Sequence, residues 1–170
     1  LSKAADEAMT AARALSKVRA DAAGTLAQRI ESELKYLNMP SVRFVAELLP
    51  VGGKPGFNAS GCDEVRFLMS ANAGETPGRI SRIASGGELS RIMLAMKRVF
   101  AEHDAVDSMV FDEIDTGVSG IAAQRVGEKM GELSRCRQLI CITHLPQIAA
   151  MADRHFSISK AEKDGRTYTT

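Results

Sequence analysis

The first 37 residues place apolar side chains at the spacing of an α-helix and keep its other faces polar. Five of these positions alternate by three and four residues, as in a coiled-coil seam: Ala8, Ala11, Leu15, Val18 and Ala22. Later positions drift off that seam: Leu26, Ile30, Leu34 and Leu37. The pattern predicts one long helix. We expect the end of a coiled-coil arm, because the other faces are polar; the alternative is a surface helix packed on a domain.

Residues 38–170 follow the pattern of an α/β lobe. Pro40 ends the helix, since the residue before a proline avoids the α region. Apolar runs at 42–48 and 64–69 then predict two antiparallel strands with a glycine-rich connection. We therefore divide the chain into the end of an arm (1–37) and a lobe (38–170).

The second half of the lobe alternates helices and strands. A helical pattern begins near Ser85. Apolar runs at 109–112 and 138–143 predict parallel strands buried on both faces, and a helix at 119–134 separates them. The last predicted elements are the two strands of a hairpin, residues 156–159 and 166–168. The predicted fold class is α/β.

The charge balance excludes a basic nucleic-acid surface spread over the chain. Its 170 residues carry 22 Lys and Arg against 21 Asp and Glu, a net charge of +1. Any DNA contact must come from a local patch, from the rest of a longer protein or from a partner. Arg79, Arg82 and Arg91 are candidates by position alone. The chain begins without methionine inside a helical pattern, so we expect a piece of a longer protein.

Three cysteines without CxxC spacing indicate reduced, mostly buried thiols: Cys62, Cys136 and Cys141. No apolar run approaches the length of about 18 residues that a membrane span needs, and no signal-peptide pattern is present. We expect a cytoplasmic protein without a membrane partner.

Ser85-Gly86-Gly87-Glu88 opens the second helical pattern. Ser85 and Glu88 stand at the spacing of a capping box. Two glycines at a helix start let the backbone approach an anion, which the free amides and the helix dipole favour. The plainer interpretation is a tight loop before an ordinary capped helix.

Asp112 and Glu113 follow an apolar strand, at the edge where open α/β sheets place their ligands. One carboxylate suits Mg²⁺ held through water, and its neighbour suits a base that orients and deprotonates attacking water. His144 follows the next strand, where its ring can hydrogen-bond a γ-phosphate. Taken singly, these are more commonly solvated carboxylates and a structural histidine.

The chain has no Walker A loop. Gly53-Lys54 is followed by Pro55 where Ser or Thr is required, and Leu48 stands where the first glycine should be. The lobe alone is therefore not expected to hold ATP tightly.

The order of these segments resembles ABC-type ATPases. Ser85-Gly86-Gly87-Glu88 resembles their signature motif, and residues 109–113 resemble Walker B with its catalytic glutamate. Residues 115–120 are similar to the D-loop, and Thr143-His144 to the H-loop. With the helical segment before it, the lobe resembles the carboxyl-terminal half of SMC and Rad50 heads, most closely a bacterial DNA-repair branch. The Walker A loop and Q-loop would lie in the missing amino-terminal half.

This resemblance implies an ATPase that uses ATP and Mg²⁺ only when joined to that half. Asp112 would hold the metal, Glu113 would be the base and His144 the switch. The implied nucleotide contacts are Ser85, Gly86, Gly87, Glu88 and Asp115. The implied partners are the amino-terminal half of the same head, a second head in an ATP-dependent homodimer, and DNA through the full-length protein at double-strand breaks, in association with the nucleoid. We expect the helix tip and the acidic groups on opposite flanks of the lobe.

Other hypotheses remain open. The chain could come from the head of another SMC or Rad50-type chromosome-maintenance ATPase, or from an ATP-gated clamp with little hydrolysis. It could instead be an interaction module that recruits a partner through residues 1–37. A metal-dependent hydrolase built from Asp112, Glu113, Asp115 and His144 is a further possibility, weakened by the lack of metal-site spacing.

Overall fold

A computed structural model describes residues 2–54, 56–70, 72, 74–80, 86–101, 104–163 and 166–169. Its first element is the predicted long helix, α1 (Ser2–Tyr36). Asn38 adopts a left-handed conformation with φ of 63°. The Met39 amide bonds to the Leu34 carbonyl at 2.9 Å, and the Asn38 amide to that of Lys35 at 3.3 Å. This is a Schellman motif, so the left-handed Asn38 ends the helix before Pro40 is reached.

The two ends of α1 lie in different surroundings. Ile30, Leu34 and Leu37 are fully buried in the core of the lobe, whereas Val18 is 64% exposed. The connection after the first strand touches the outer half, where the Cys62 thiol lies 3.4 Å from the carbonyl of Ala12. The last turns therefore belong to the lobe's core, and the arm predicted for residues 1–37 stays a prediction.

The predicted antiparallel strands are confirmed as β1 (Arg43–Pro50) and β2 (Asp63–Ser70). Phe44 pairs with Met69, and both side chains are buried. The sequence pattern did not predict the short third strand, β3 (Gly78–Arg79), which pairs antiparallel with β2. This small sheet packs against α1.

The second half of the lobe contains a parallel strand pair. After α2 (Gly86–Phe100), β4 (Ser108–Phe111) pairs in parallel with β5 (Gln138–Cys141), and α3 (Gly120–Ser134) crosses between them. The prediction that both faces are buried is wrong. Met109 and Phe111 face the core, but Val110, Ile140 and Ile142 are 65%, 52% and 55% exposed. One apolar face of this pair is open.

The chain continues with α4 (Pro146–Ala149) and an antiparallel hairpin, β6 (Lys160–Lys163) with β7 (Arg166–Thr169). The hairpin is confirmed, but its first strand begins four residues later than predicted. Phe156 in the connection is 91% exposed. None of the helices in the described part of the chain is long and apolar enough to cross a membrane.

The three cysteines form no disulfide. The prediction that they are mostly buried is wrong for Cys136, which is exposed, and Cys62 and Cys141 are half-buried. Burial raises the pKa of the Cys141 thiol to about 11, and the charges of Asp115 and Asp112 contribute further. Cys141 is therefore a thiol and not a thiolate near neutral pH.

Charged residues connect the end of α1 to α3. Lys129 lies 3.2 Å from Glu33 and 3.0 Å from Glu132, with its ammonium 4.8 Å from the centre of the Tyr36 ring. Burial lowers the pKa of Lys129, but hydrogen bonds to Glu132 and Glu33 outweigh it and leave the pKa raised. The Tyr36 hydroxyl also bonds to Glu128. The root of the long helix is thus held against α3.

Leu34→Ala should lower the free energy of unfolding by about 2–5 kcal/mol, because it removes a fully buried side chain between α1 and the lobe. Val18→Ala on the same helix should change it by less than about 0.5 kcal/mol, since Val18 is exposed. Urea unfolding of this chain measures both. Equal losses would contradict the division of α1 into a buried and an open part.

Candidate functional site

The parallel pairing of β4 with β5 brings the predicted motifs to one edge of the sheet. Phe111 pairs with Cys141 at the carboxyl ends of the strands, and the Ile142 amide continues the ladder to the Phe111 carbonyl at 2.9 Å. Residues 112–115 leave β4 and residues 143–144 leave β5 at this point. The acidic segment and His144 therefore share an edge, as the sequence predicted.

Asp115 is the buried centre of this edge, with only 4% of its surface exposed. Its Oδ2 accepts hydrogen bonds from the Thr143 hydroxyl at 2.6 Å and the His144 amide at 2.9 Å. The same oxygen lies 3.1 Å from Nδ1 of His144. Burial raises the pKa of the Asp115 carboxyl, but these bonds and the nearby imidazole outweigh it, so the pKa is lowered overall.

The imidazole of His144 approaches Asp115 with Nδ1 and is otherwise open, since 75% of the side chain is exposed. A further hydrogen bond holds the backbone on both sides of His144, because the Thr143 hydroxyl accepts the Leu145 amide at 3.1 Å. The exposed part of the ring is free to meet a ligand or another chain.

Asp112 and Glu113 are both exposed. Oδ1 of Asp112 accepts the amide of Glu113 at 2.9 Å, and the Asp112 carbonyl accepts the Ser90 hydroxyl at 2.8 Å. Glu113 has φ of 56°, a left-handed conformation that non-glycine residues seldom adopt. Such strain concentrates at functional sites, so its occurrence at the proposed base is notable.

The start of α2 lies directly against this acidic segment. A Cβ added to Gly86 would collide with the carboxylate of Glu113, and one added to Gly87 would lie 2.6 Å from the Thr116 carbonyl. The expectation that the helix tip and the acidic groups occupy opposite flanks is therefore wrong. Gly86 is exposed and Gly87 is buried. The predicted capping box cannot be followed, because Ser85 lies outside the described residues.

Two residues of α2 hold these segments together: Ser90, which sequence reasoning did not assign, and Arg91, which it suggested only as a DNA contact. Ser90 and Arg91 stand four positions after Gly86 and Gly87, on the same face of α2, and that spacing is the signal that marks them. The Arg91 guanidinium donates to the Thr116 carbonyl at 2.8 Å. Burial lowers the pKa of Arg91, with the charge of Glu88 acting in the opposite direction.

The burial of Arg91, which is only 6% exposed, makes its suggested contact with DNA wrong for this conformation. Arg79 is exposed, and Arg82 lies outside the described residues.

The geometry gives little support to a hydrolase with its own metal centre. No group of three or more His, Cys, Asp or Glu side chains in the described ranges could hold a metal ion, and these ranges include Asp112, Glu113, Asp115 and His144. A single exposed carboxylate such as Asp112 fits Mg²⁺ that is completed by phosphate oxygens and water.

Curated relatives of this chain are DNA repair proteins named RecN. The chain is 45% identical over 157 residues to that of Halalkalibacterium halodurans, covering 92% of this chain and 28% of the relative. It is 42% identical to RecN of Treponema pallidum over 96% of this chain and 29% of the relative. It is 37% identical to RecN of Haemophilus influenzae over 98% of this chain and 30% of the relative. The chain thus spans less than a third of these relatives.

Solved structures of similar fold are SMC head domains. The Smc head with a coiled coil and joint from Pyrococcus yayanosii matches with a TM-score of 0.55 and 26% identity, over 85% of this chain and 26% of that one. The Smc head with an extended coiled coil bound to the C-terminal domain of ScpA, from Pyrococcus furiosus, matches with a TM-score of 0.54 and 24% identity, over 85% and 34%. No family model matches. The fold is that of the C-terminal lobe of an ABC-type ATPase head.

Gly87→Ala should destabilise the chain by about 1–3 kcal/mol, because the new methyl would overlap the Thr116 backbone and force the segment after β4 to move. Gly131→Ala is the matched control. Gly131 lies in α3 with open space where a Cβ would go, so alanine should stabilise by about 0.5–1 kcal/mol. Thermal unfolding measures both, and a neutral Gly87→Ala would contradict the close packing.

Proposed function

Because the chain belongs to the RecN family and matches a segment of 28–30% of the length of its curated members, we propose that it forms the C-terminal half of an SMC-like ATPase head acting in DNA repair. The single observation that carries the proposal is the shared sheet edge. Asp112 and Glu113 follow β4 and His144 follows the neighbouring β5 at that edge, and all three residues are exposed.

The proposed roles follow from the chemistry of each group. Asp112 would hold Mg²⁺, which when bound would neutralise phosphate charge. Glu113 would accept a proton from water as that water attacks the γ-phosphorus and the bond to ADP breaks, which yields ADP and inorganic phosphate. His144 would hydrogen-bond the γ-phosphate and respond to its release.

Residues at the start of α2 would serve a second head. The exposed backbone at Gly86 can approach a phosphate held by another molecule, with Ser85, Gly87 and Glu88 forming the rest of that contact. Glu113 lies against Gly86 here, so its carboxylate has to turn away before it reaches a nucleotide. Loss of the γ-phosphate would remove the group that bridges two heads and release the homodimer.

Open apolar surfaces support the proposal that an amino-terminal half of the head packs against this lobe. Val110, Ile140 and Ile142 lie on one face of the β4–β5 pair, although strands of this kind are normally covered on both faces. Leu15 and Val18 are exposed on the predicted coiled-coil seam of α1. We propose that the amino-terminal half of the head covers the sheet face and that the second helix of the coiled-coil arm covers the seam. DNA binding would belong to the full-length protein, which we place in the cytoplasm at the nucleoid.

Ile142→Lys should leave this chain folded but weaken its association with the amino-terminal half at least about tenfold, because a buried unpaired charge costs several kcal/mol. Ser134→Lys adds the same charge at the exposed end of α3 and should have little effect. Co-purification and titration calorimetry of the two halves compare them. Unchanged association of the Ile142 variant would show that this sheet face is not the contact.

Glu113→Gln should reduce ATP hydrolysis by the rejoined halves at least about a hundredfold while ATP binding and head pairing persist, because glutamine cannot accept the proton. Phosphate release and size-exclusion chromatography with and without DNA provide the measurements. Glu162→Gln, at an exposed carboxylate in β6, is the control.

Undiminished turnover in the Glu113→Gln variant would remove Glu113 from the role of base. ATP-dependent pairing without phosphate release in the unmodified protein would favour the clamp with little hydrolysis.

A further inference from the structure

We propose that Asp115 is a positioning residue that sets the tautomer and orientation of His144, and that it does not itself contact the nucleotide. This inference rests on the proposed ATPase function, because His144 is its proposed phosphate contact. It differs from the resemblance, which implies that Asp115 belongs to the nucleotide site.

The first argument is the burial of the carboxylate. Asp115 is 4% exposed, whereas Asp112 and Glu113 on the same segment are exposed. A buried carboxylate is costly unless hydrogen bonds satisfy it. Its donors come from the H-loop, Thr143 and His144, so the segment after β5 provides the stabilisation. An oxygen occupied in this way is not available to a nucleotide.

The second argument is the convergence of three nitrogen or oxygen atoms on one carboxylate oxygen. The Thr143 hydroxyl, the His144 amide and Nδ1 of His144 lie 2.6, 2.9 and 3.1 Å from Oδ2 of Asp115. The hydrogen bond from its amide holds the backbone of His144 at Asp115, and this places Nδ1 of the ring within 3.1 Å of the same carboxylate oxygen. A neutral acceptor would bind the Thr143 hydroxyl and the His144 amide less strongly, because charge-assisted hydrogen bonds are roughly twice as strong as neutral ones.

The third argument concerns the two ring nitrogens. The partner of one imidazole nitrogen determines whether the other can accept or donate. A carboxylate oxygen 3.1 Å from Nδ1 repels a lone pair there, so a proton on Nδ1 is the favoured form of the neutral ring, which leaves Nε2 as the acceptor in a side chain that is 75% exposed. Asp115 thus presents one defined nitrogen of His144 to its ligand. The same contact joins the segment after β4, which includes Glu113, to the segment after β5.

Asp115→Asn in the complete head tests this role. We expect the ¹⁵N resonances of His144, assigned by their loss in a His144→Gln variant, to change from the Nδ1-protonated form to a mixture of tautomers. We expect kcat for ATP to fall by about 10- to 100-fold, as for other partners that orient a functional imidazole, while KM changes less than about threefold. Asp153→Asn, an exposed carboxylate elsewhere, is the matched control and should change neither readout.

A second pair of variants keeps the test valid if Asp115→Asn fails to fold. Thr143→Val removes the hydroxyl that bonds Asp115 and keeps the shape of the side chain, and Thr143→Ser restores the hydroxyl. The valine variant should shift the tautomer equilibrium and lower kcat, and the serine variant should recover both.

An unchanged His144 tautomer in Asp115→Asn, or in Thr143→Val should the first variant not fold, would overturn the positioning role. A rise in KM for ATP with unchanged kcat and tautomer would instead indicate that Asp115 contacts the nucleotide. Absence of ATPase activity in the unmodified head would defeat the proposed function alone, because the tautomer measurement does not depend on turnover.

Discussion

The parallel pairing of β4 with β5 is the constraint on which the candidate site depends. Both strands end at the same edge, and the ladder extends one further bond, from the Ile142 amide to the Phe111 carbonyl at 2.9 Å. Two segments about 30 positions apart in the chain are thereby brought together. The carboxylate of Asp115 then bonds to Thr143 and His144 across the gap, so backbone and side-chain hydrogen bonds hold the same edge.

The start of α2 adds a third segment to that edge. The Ser90 hydroxyl and the Arg91 guanidinium donate hydrogen bonds to the backbone carbonyls of Asp112 and Thr116, at the two ends of the acidic segment. Gly87 allows this approach, because any Cβ there would overlap the Thr116 backbone. In this conformation Gly86, of the proposed signature motif, and the proposed base Glu113 of one molecule are neighbours. In the proposed cycle they serve different nucleotides, so the Glu113 carboxylate changes direction between the two states.

The lobe presents two open apolar surfaces, which have the same cause. Leu15 and Val18 on the outer half of α1, and Val110, Ile140 and Ile142 on one face of the β4–β5 pair, are exposed. Curated relatives are more than three times as long as the matched segment. The proposed partners would cover both surfaces: the amino-terminal half of a head on the sheet face, and the second helix of a coiled-coil arm on α1. The contacts of Lys129 with Glu33 and of Tyr36 with Glu128 hold the end of α1 against α3, the helix that follows the acidic segment.

The sequence by itself determined the class and order of the elements, because helical and strand periodicities depend on local spacing. It predicted α1, the β1–β2 pair, the parallel β4 and β5, and the positions of Asp112, Glu113 and His144 at one edge. Local spacing does not report which face of a strand is covered, so Val110, Ile140 and Ile142 were wrongly expected to be buried. Only tertiary structure placed Gly86 against Glu113, buried Arg91, and turned Asp115 toward the H-loop. Each of these depends on contacts between segments distant in the chain, whose geometry is set by packing.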